Sequence, residues 1–191
     1  VATHLAVCPE CRRTISDLEA VAGSLLDDTK ETKLESSAFG NILDRLDEEV
    51  KQAAPVNVSP SREITCLPNP LREYAGGDID KLKWRRLGPS AHQLMICSDE
   101  DGSVARLLRI PAGKPVPEHG HGGEEMTLVL KGAFEDQLGL YQRGDVQTVD
   151  SRVIHKPFAV PGEECICLAV TNAPLRFSSL AARFLQPVIG I

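Results

Sequence analysis

The chain has 191 residues, 42% of them apolar, an ordinary balance for a soluble globular protein and enough for one large domain or two small ones. No apolar run approaches the roughly 20 residues of a membrane span, and no signal peptide is visible, which argues against membrane-embedded and secreted classes. The net charge of −6 is uneven: residues 1–54 carry 11 acidic and 6 basic side chains, a net −5, against −1 for the remainder. An acidic N-terminal piece repels nucleic acid and suits a basic protein partner, although a solvated helix surface is the plainer reading.

The first 54 residues read as helical. From Pro9 to Asp27, Ile15, Leu18, Val21, Ala22, Leu25 and Leu26 recur at three- and four-residue steps, one face of an amphipathic helix. A second helix is predicted from Ser36 to Gln52, capped by Ser36 or Ser37, with Phe39, Ile42, Leu43, Leu46 and Val50 as its stripe. Two such helices are too small to bury all of this apolar surface by themselves. Residues 55–70 hold four prolines without periodicity and read as a linker. From Leu71 the pattern changes to short apolar runs between Gly, Pro and Asp: Val104–Ile110, Met126–Leu130, Val146–Val149, Cys165–Thr171 and Leu175–Phe177. Many short strands with turn signals indicate a sandwich or barrel. The expected fold class is therefore α+β in two domains: all-α over 1–54, a linker over 55–70, and a β-barrel over 71–191.

His119 and His121 stand two apart, so on a strand both imidazoles face the same way and reach one ion. Gly122 and Gly123 permit a turn, and Glu125, on the next strand, completes three ligands. Imidazole with carboxylate suits Zn, Fe, Mn, Ni or Cu. The segment resembles the first cupin motif at every position: Gly113, His119, His121, Glu125 and Gly132. Gly144 and His155 match the second motif, while Asp150, Arg152 and Ala159 replace its proline, glycine and asparagine. The resemblance implies a jelly-roll-like antiparallel barrel with His155 as fourth ligand. Four protein ligands would close a zinc site, whereas iron or manganese would keep open positions.

At the other end, His4 and Cys8 are four apart, which places them on one helix face, and Cys11 follows three later. Two thiolates and an imidazole supply three of the four ligands of a structural zinc site. A thioredoxin-type redox motif would need a βαβ context, which is absent from the pattern. The spacing H-x3-C-x2-C resembles the zinc-binding anti-sigma domain, in which an upstream histidine supplies the fourth ligand. The chain starts at Val1, as expected of a fragment or processed form, ahead of which that histidine would lie.

Helical H-x3-C-x2-C, a Pro-rich linker and a cupin together resemble the ChrR-type anti-sigma factors, as do the tail segments Cys165–Ala169 and Ala173–Phe177. That resemblance implies a cytoplasmic regulator whose helical domain wraps an extracytoplasmic-function sigma factor, released through the cupin domain in response to singlet oxygen or related oxidants. It implies zinc in each domain, no direct nucleic-acid contact, and pairing of copies through the cupin domain as an option. Phe39, Ile42, Leu43 and Leu46 then form the docking stripe. Cys165 and Cys167, on one strand face at roughly 6.6 Å between Cα atoms, are either small apolar wall residues or an oxidant-sensitive pair. The six cysteines, in close pairs and without a secretion signal, fit a reducing compartment. The competing readings are a metal-dependent cupin dioxygenase, which has no use for the N-terminal cysteine motif, and a sugar-binding or storage cupin.

Overall fold

The structure, a computed structural model, describes residues 1–52, 66–88 and 91–177, with backbone alone at 47–52. By contact these residues fall into two units: Val1–Arg12 with the residues from Cys66 onward, and residues 13–52. Of the linker predicted over 55–70, residues 55–65 lie outside the described residues, as does the side chain of Val50.

The first unit opens with helix α1, Ala2–Val7, followed by the first turn of α2, Pro9–Asp27. The chain breaks between them at Cys8, which is extended (φ −103°, ψ 105°). The expectation of His4 and Cys8 on one continuous helix is thereby corrected. Pro9 has no N–H to donate and pushes its predecessor out of the helical region. A short helix not anticipated from the sequence, α4 (Asn69–Ala75), follows in chain order after α3 (Ala38–Gln52). Pro70 early in α4 and Gly76 at its C-terminus, in the left-handed conformation (φ 81°), delimit it.

Among the described residues twelve antiparallel strands follow. One sheet has six strands, ordered β1 (Arg85–Leu87), β2 (Ala91–Ser98), β3 (Val104–Ile110), β11 (Cys165–Thr171), β5 (Glu125–Lys131) and β8 (Val146–Val149). A second joins β10 (Phe158–Ala159), β6 (Ala133–Asp136) and β7 (Gly139–Gln142). The third joins β12 (Leu175–Phe177), β4 (His119–His121) and β9 (Ile154–His155). Among the described residues these are three separate sheets, not a single closed one.

The nearly unbroken apolar run of β11 follows from its place between β3 and β5, where both faces are covered. Ile166 joins Leu107, Leu128 and Leu130 in a core covered by Leu67 and Leu71. On the other face Cys165 and Cys167 join Ile110, Val129, Phe134 and Ala159. Leu67, from the end of the segment read as linker, is wholly buried. Each such side chain contributes about 1.5–3 kcal/mol by burial. Helix α1 packs on α4, and Val7 reaches the same core.

In the second unit, α2 continues to Asp27 and α3 follows; the α2 limits match the sequence reading, and α3 starts two residues later than Ser36. The stripes of both helices are exposed, from Ile15 to Leu26 on α2 and from Phe39 to Leu46 on α3.

Candidate metal centres

The short extended strand β4 aims His119 and His121 to one side, and β9 lies beside it with His155 directly opposite His119. Gly122 and Gly123 turn the chain so that β5 begins at Glu125. All four residues are buried, none more than 8% exposed. Their ligand atoms lie within 4.8 Å of one another. His155 Nε2 is 3.1 Å from both His119 Nε2 and His121 Nε2, and Glu125 Oε2 is 3.6 Å from His121 Nδ1.

Two of the three tautomers follow from chemistry. His119 Nδ1 is 2.8 Å from the Pro117 carbonyl, which can only accept, so Nδ1 carries the proton. His155 Nδ1 is 2.8 Å from the Asp136 carboxylate, so it donates as well. Burial pushes the His119 imidazole down to about 4, against a partial counter-effect of the Pro117 carbonyl, so it is neutral near pH 7. The bare Nε2 of His119 therefore faces Nε2 of His155, while His121 Nδ1 is buried without a hydrogen-bond partner. Lone pairs converging beside a carboxylate fit a divalent cation better than they fit one another. Glu125 Oε1 accepts from the Thr127 hydroxyl at 2.9 Å, which leaves its other oxygen toward the histidines.

The departures from the second cupin motif leave the approach to His155 intact. Asp150 replaces the turn proline by accepting from the backbone N–H and guanidinium of Arg152, while its own carbonyl accepts from Val153 N–H. Sequence reasoning missed Asp136, Thr127 and Gln147. Nothing in their spacing marks them, because Asp136 is 19 residues from His155 along the chain. Glu118 and Glu124 are exposed, so neither supplies a buried acid–base partner.

The second cluster, His4, Cys8 and Cys11, is half-buried, with ligand atoms within 4.8 Å of one another. His4 Nε2 is 3.2 Å from Cys11 Sγ, and the backbone N–H of Cys11 points at Cys8 Sγ at 3.5 Å. That N–H and the Cys11 thiol hold the Cys8 thiol below its usual range, and the same contact pushes Cys11 up. The three side chains come one from α1, one from the break at Cys8 and one from α2.

Cys165 and Cys167 are buried with their sulfurs 3.4 Å apart, both free thiols. Contact with Cys165 and burial push the Cys167 thiol well up, which disfavours the reactive thiolate in this state. The other sequence-predicted residues, Phe39, Ile42, Leu43 and Leu46, stand on α3, the first 72% and the third 45% exposed.

The ChrR cupin-like domain family matches residues 73–175. Anti-sigma-E factor ChrR of Cereibacter sphaeroides is 40% identical over 191 residues, covering 100% of this chain and 87% of that protein. Among solved structures, Rhodobacter sphaeroides SigE in complex with the anti-sigma ChrR is similar at a TM-score of 0.70 and 37% identity, over 90% of this chain and 85% of that one.

Proposed function

This chain belongs to the family of ChrR-type anti-sigma factors, and on that premise we propose that it sequesters an extracytoplasmic-function sigma factor and holds a zinc ion in a cupin barrel. The observation that carries the partner reading is the apolar stripe on α2 and α3, exposed from Ile15 to Leu26 and from Phe39 to Leu46. Each large apolar side chain left in water forgoes about 1.5–3 kcal/mol. A groove on a partner recovers that free energy, in the manner of helix-in-groove recognition. The acidic helical segment steers toward a basic partner and away from nucleic acid. No described helix is long and apolar enough to cross a membrane, in keeping with a regulator that works in the cytoplasm beside RNA polymerase.

In the cupin portion His119, His121, Glu125 and His155 would hold the ion, which would tie β4, β5 and β9 together as a structural crosslink. His4, Cys8 and Cys11 would hold a second zinc with one further ligand. The cupin portion would carry the response to singlet oxygen or related oxidants, with Cys165 and Cys167 reacting once the wall around them opens. The domains would be a helical one over 1–54 and a cupin one over 71–191, with Val1–Arg12 and Leu67 packed into the second rather than standing apart from it. The test is stoichiometric binding of the zinc-loaded chain to a sigma factor of its own genome, with loss of transcription from that factor's promoters. A zinc-loaded chain that leaves transcription unchanged at micromolar concentration would overturn the reading.

A further inference from the structure

We infer that Asp136 is the positioning residue of the barrel metal centre, the group that turns His155 so that its Nε2 lone pair faces His119 and His121. The inference rests on the metal-centre reading above. Asp136 ends β6, in a different sheet from β4 and β9. Its side chain is wholly buried, and it is the polar partner of His155 on the side away from the other histidines. Oδ2 accepts from His155 Nδ1 at 2.8 Å and from Gln147 Nε2 at 2.9 Å, while Oδ1 accepts from the backbone N–H of Leu138 at 2.8 Å.

Three donors thus fix both carboxylate oxygens, so the carboxylate cannot rotate away from the imidazole. An acceptor-only partner forces the proton of a neutral His155 onto Nδ1 and leaves Nε2 bare for an ion. His119 obtains the same tautomer from a main-chain carbonyl, Pro117. For His155 the orientation depends on one side chain, brought in by the pairing of β6 with β10 and of β9 with β4. An amide at position 136 would offer one acceptor oxygen to three donors. Its NH2 would then meet either His155 or the Leu138 N–H. Turned to His155, it would drive the proton to Nε2 and cap the ligand atom.

The experiment reads the His155 tautomer and the zinc affinity separately. It uses the full chain carrying Cys8→Ser and Cys11→Ser, so that the barrel is the zinc site under test. Long-range 1H–15N spectra of the metal-free protein, assigned with a His155→Gln variant, should show the Nδ1–H form. Asp136→Asn should populate the Nε2–H form and weaken zinc, in chelator competition, by about 10–100-fold. An Nε2–H tautomer without the substitution overturns the inference, even if Asp136→Asn fails to fold. So does an Asp136→Asn protein that keeps both tautomer and affinity. An Nδ1–H tautomer lost in Asp136→Asn, in a chain that takes up no metal, upholds the hold of Asp136 on His155 and overturns the metal-centre reading instead.

Discussion

The side-chain oxygen of Asn172 accepts the backbone N–H of Glu124 at 2.7 Å and fills the space that a β-carbon on Gly123 would need. The residue after β11 thus clamps the turn that sets Glu125 against His121. Gly123→Ala should cost roughly 1–3 kcal/mol of stability, as overpacked sites do, read by urea unfolding. Part of that cost should vanish in an Asn172→Ala background, because the two sites share one contact. Strict additivity of the two substitutions would show that the turn is held otherwise.

Replacing His119 and His121 together by Ala should remove one metal ion per chain, measured by elemental analysis. Replacing Cys8 and Cys11 by Ser should remove any further zinc without touching the ion held at His119 and His121. Removing that ion with a chelator should lower the melting temperature, because β4, β5 and β9 lose their shared anchor. Equal metal content in the His119→Ala, His121→Ala protein would place the ion elsewhere.

Leu43→Asp with Leu46→Asp should weaken sigma-factor binding by about 100-fold or more, the effect of losing central apolar anchors. Stability of the free chain should change by no more than about 0.5 kcal/mol per site, since both side chains are exposed. Calorimetry on the same preparations separates the two quantities. Undiminished binding would move the docking face off α3.

Asp78 links acid stability to the packing of α4. Burial pushes its carboxyl up, but the backbone N–H groups of Leu67, Ile79 and Cys66, at 2.8–2.9 Å, outweigh this and hold it below the ordinary range. A carboxyl depressed in the folded state binds fewer protons there than in the unfolded chain. Its stabilisation is present above the unfolded value near 3.8 and is lost as pH falls through the lower folded value. Asp78→Ala should therefore destabilise by about 1–3 kcal/mol at pH 7, leaving three N–H groups short of an acceptor. It should also flatten the pH dependence of unfolding below pH 4, a loss that would not appear if Asp78 were solvated.

Cys165 and Cys167 should resist alkylation at neutral pH in the folded protein, while the exposed Cys97 reacts. Mass spectrometry before and after metal removal tests whether the wall opens. If Cys165→Ser with Cys167→Ser leaves the oxidant response intact, the pair is wall and nothing more.

The candidate metal-site cluster was legible because strand geometry repeats every two residues, so His119 and His121 had to share a face and Glu125 had to follow the glycine turn. The extent of α2 was legible for the parallel reason, an apolar repeat near 3.6 residues. Pro9 marks the break at Cys8 as well, because a proline pushes its predecessor out of the helical region. Spacing alone did not disclose α4, whose few residues carry no periodicity and whose Leu71 is apolar because a sheet lies beneath it. Nor could it disclose Asp136 or Asn172: they meet His155 and Glu124 across 19 and 48 residues of chain. Local sequence dictates which way a side chain points within its own strand. Which side chain stands opposite is decided by strand pairing between distant segments, and it was this pairing that gave His155 its buried carboxylate.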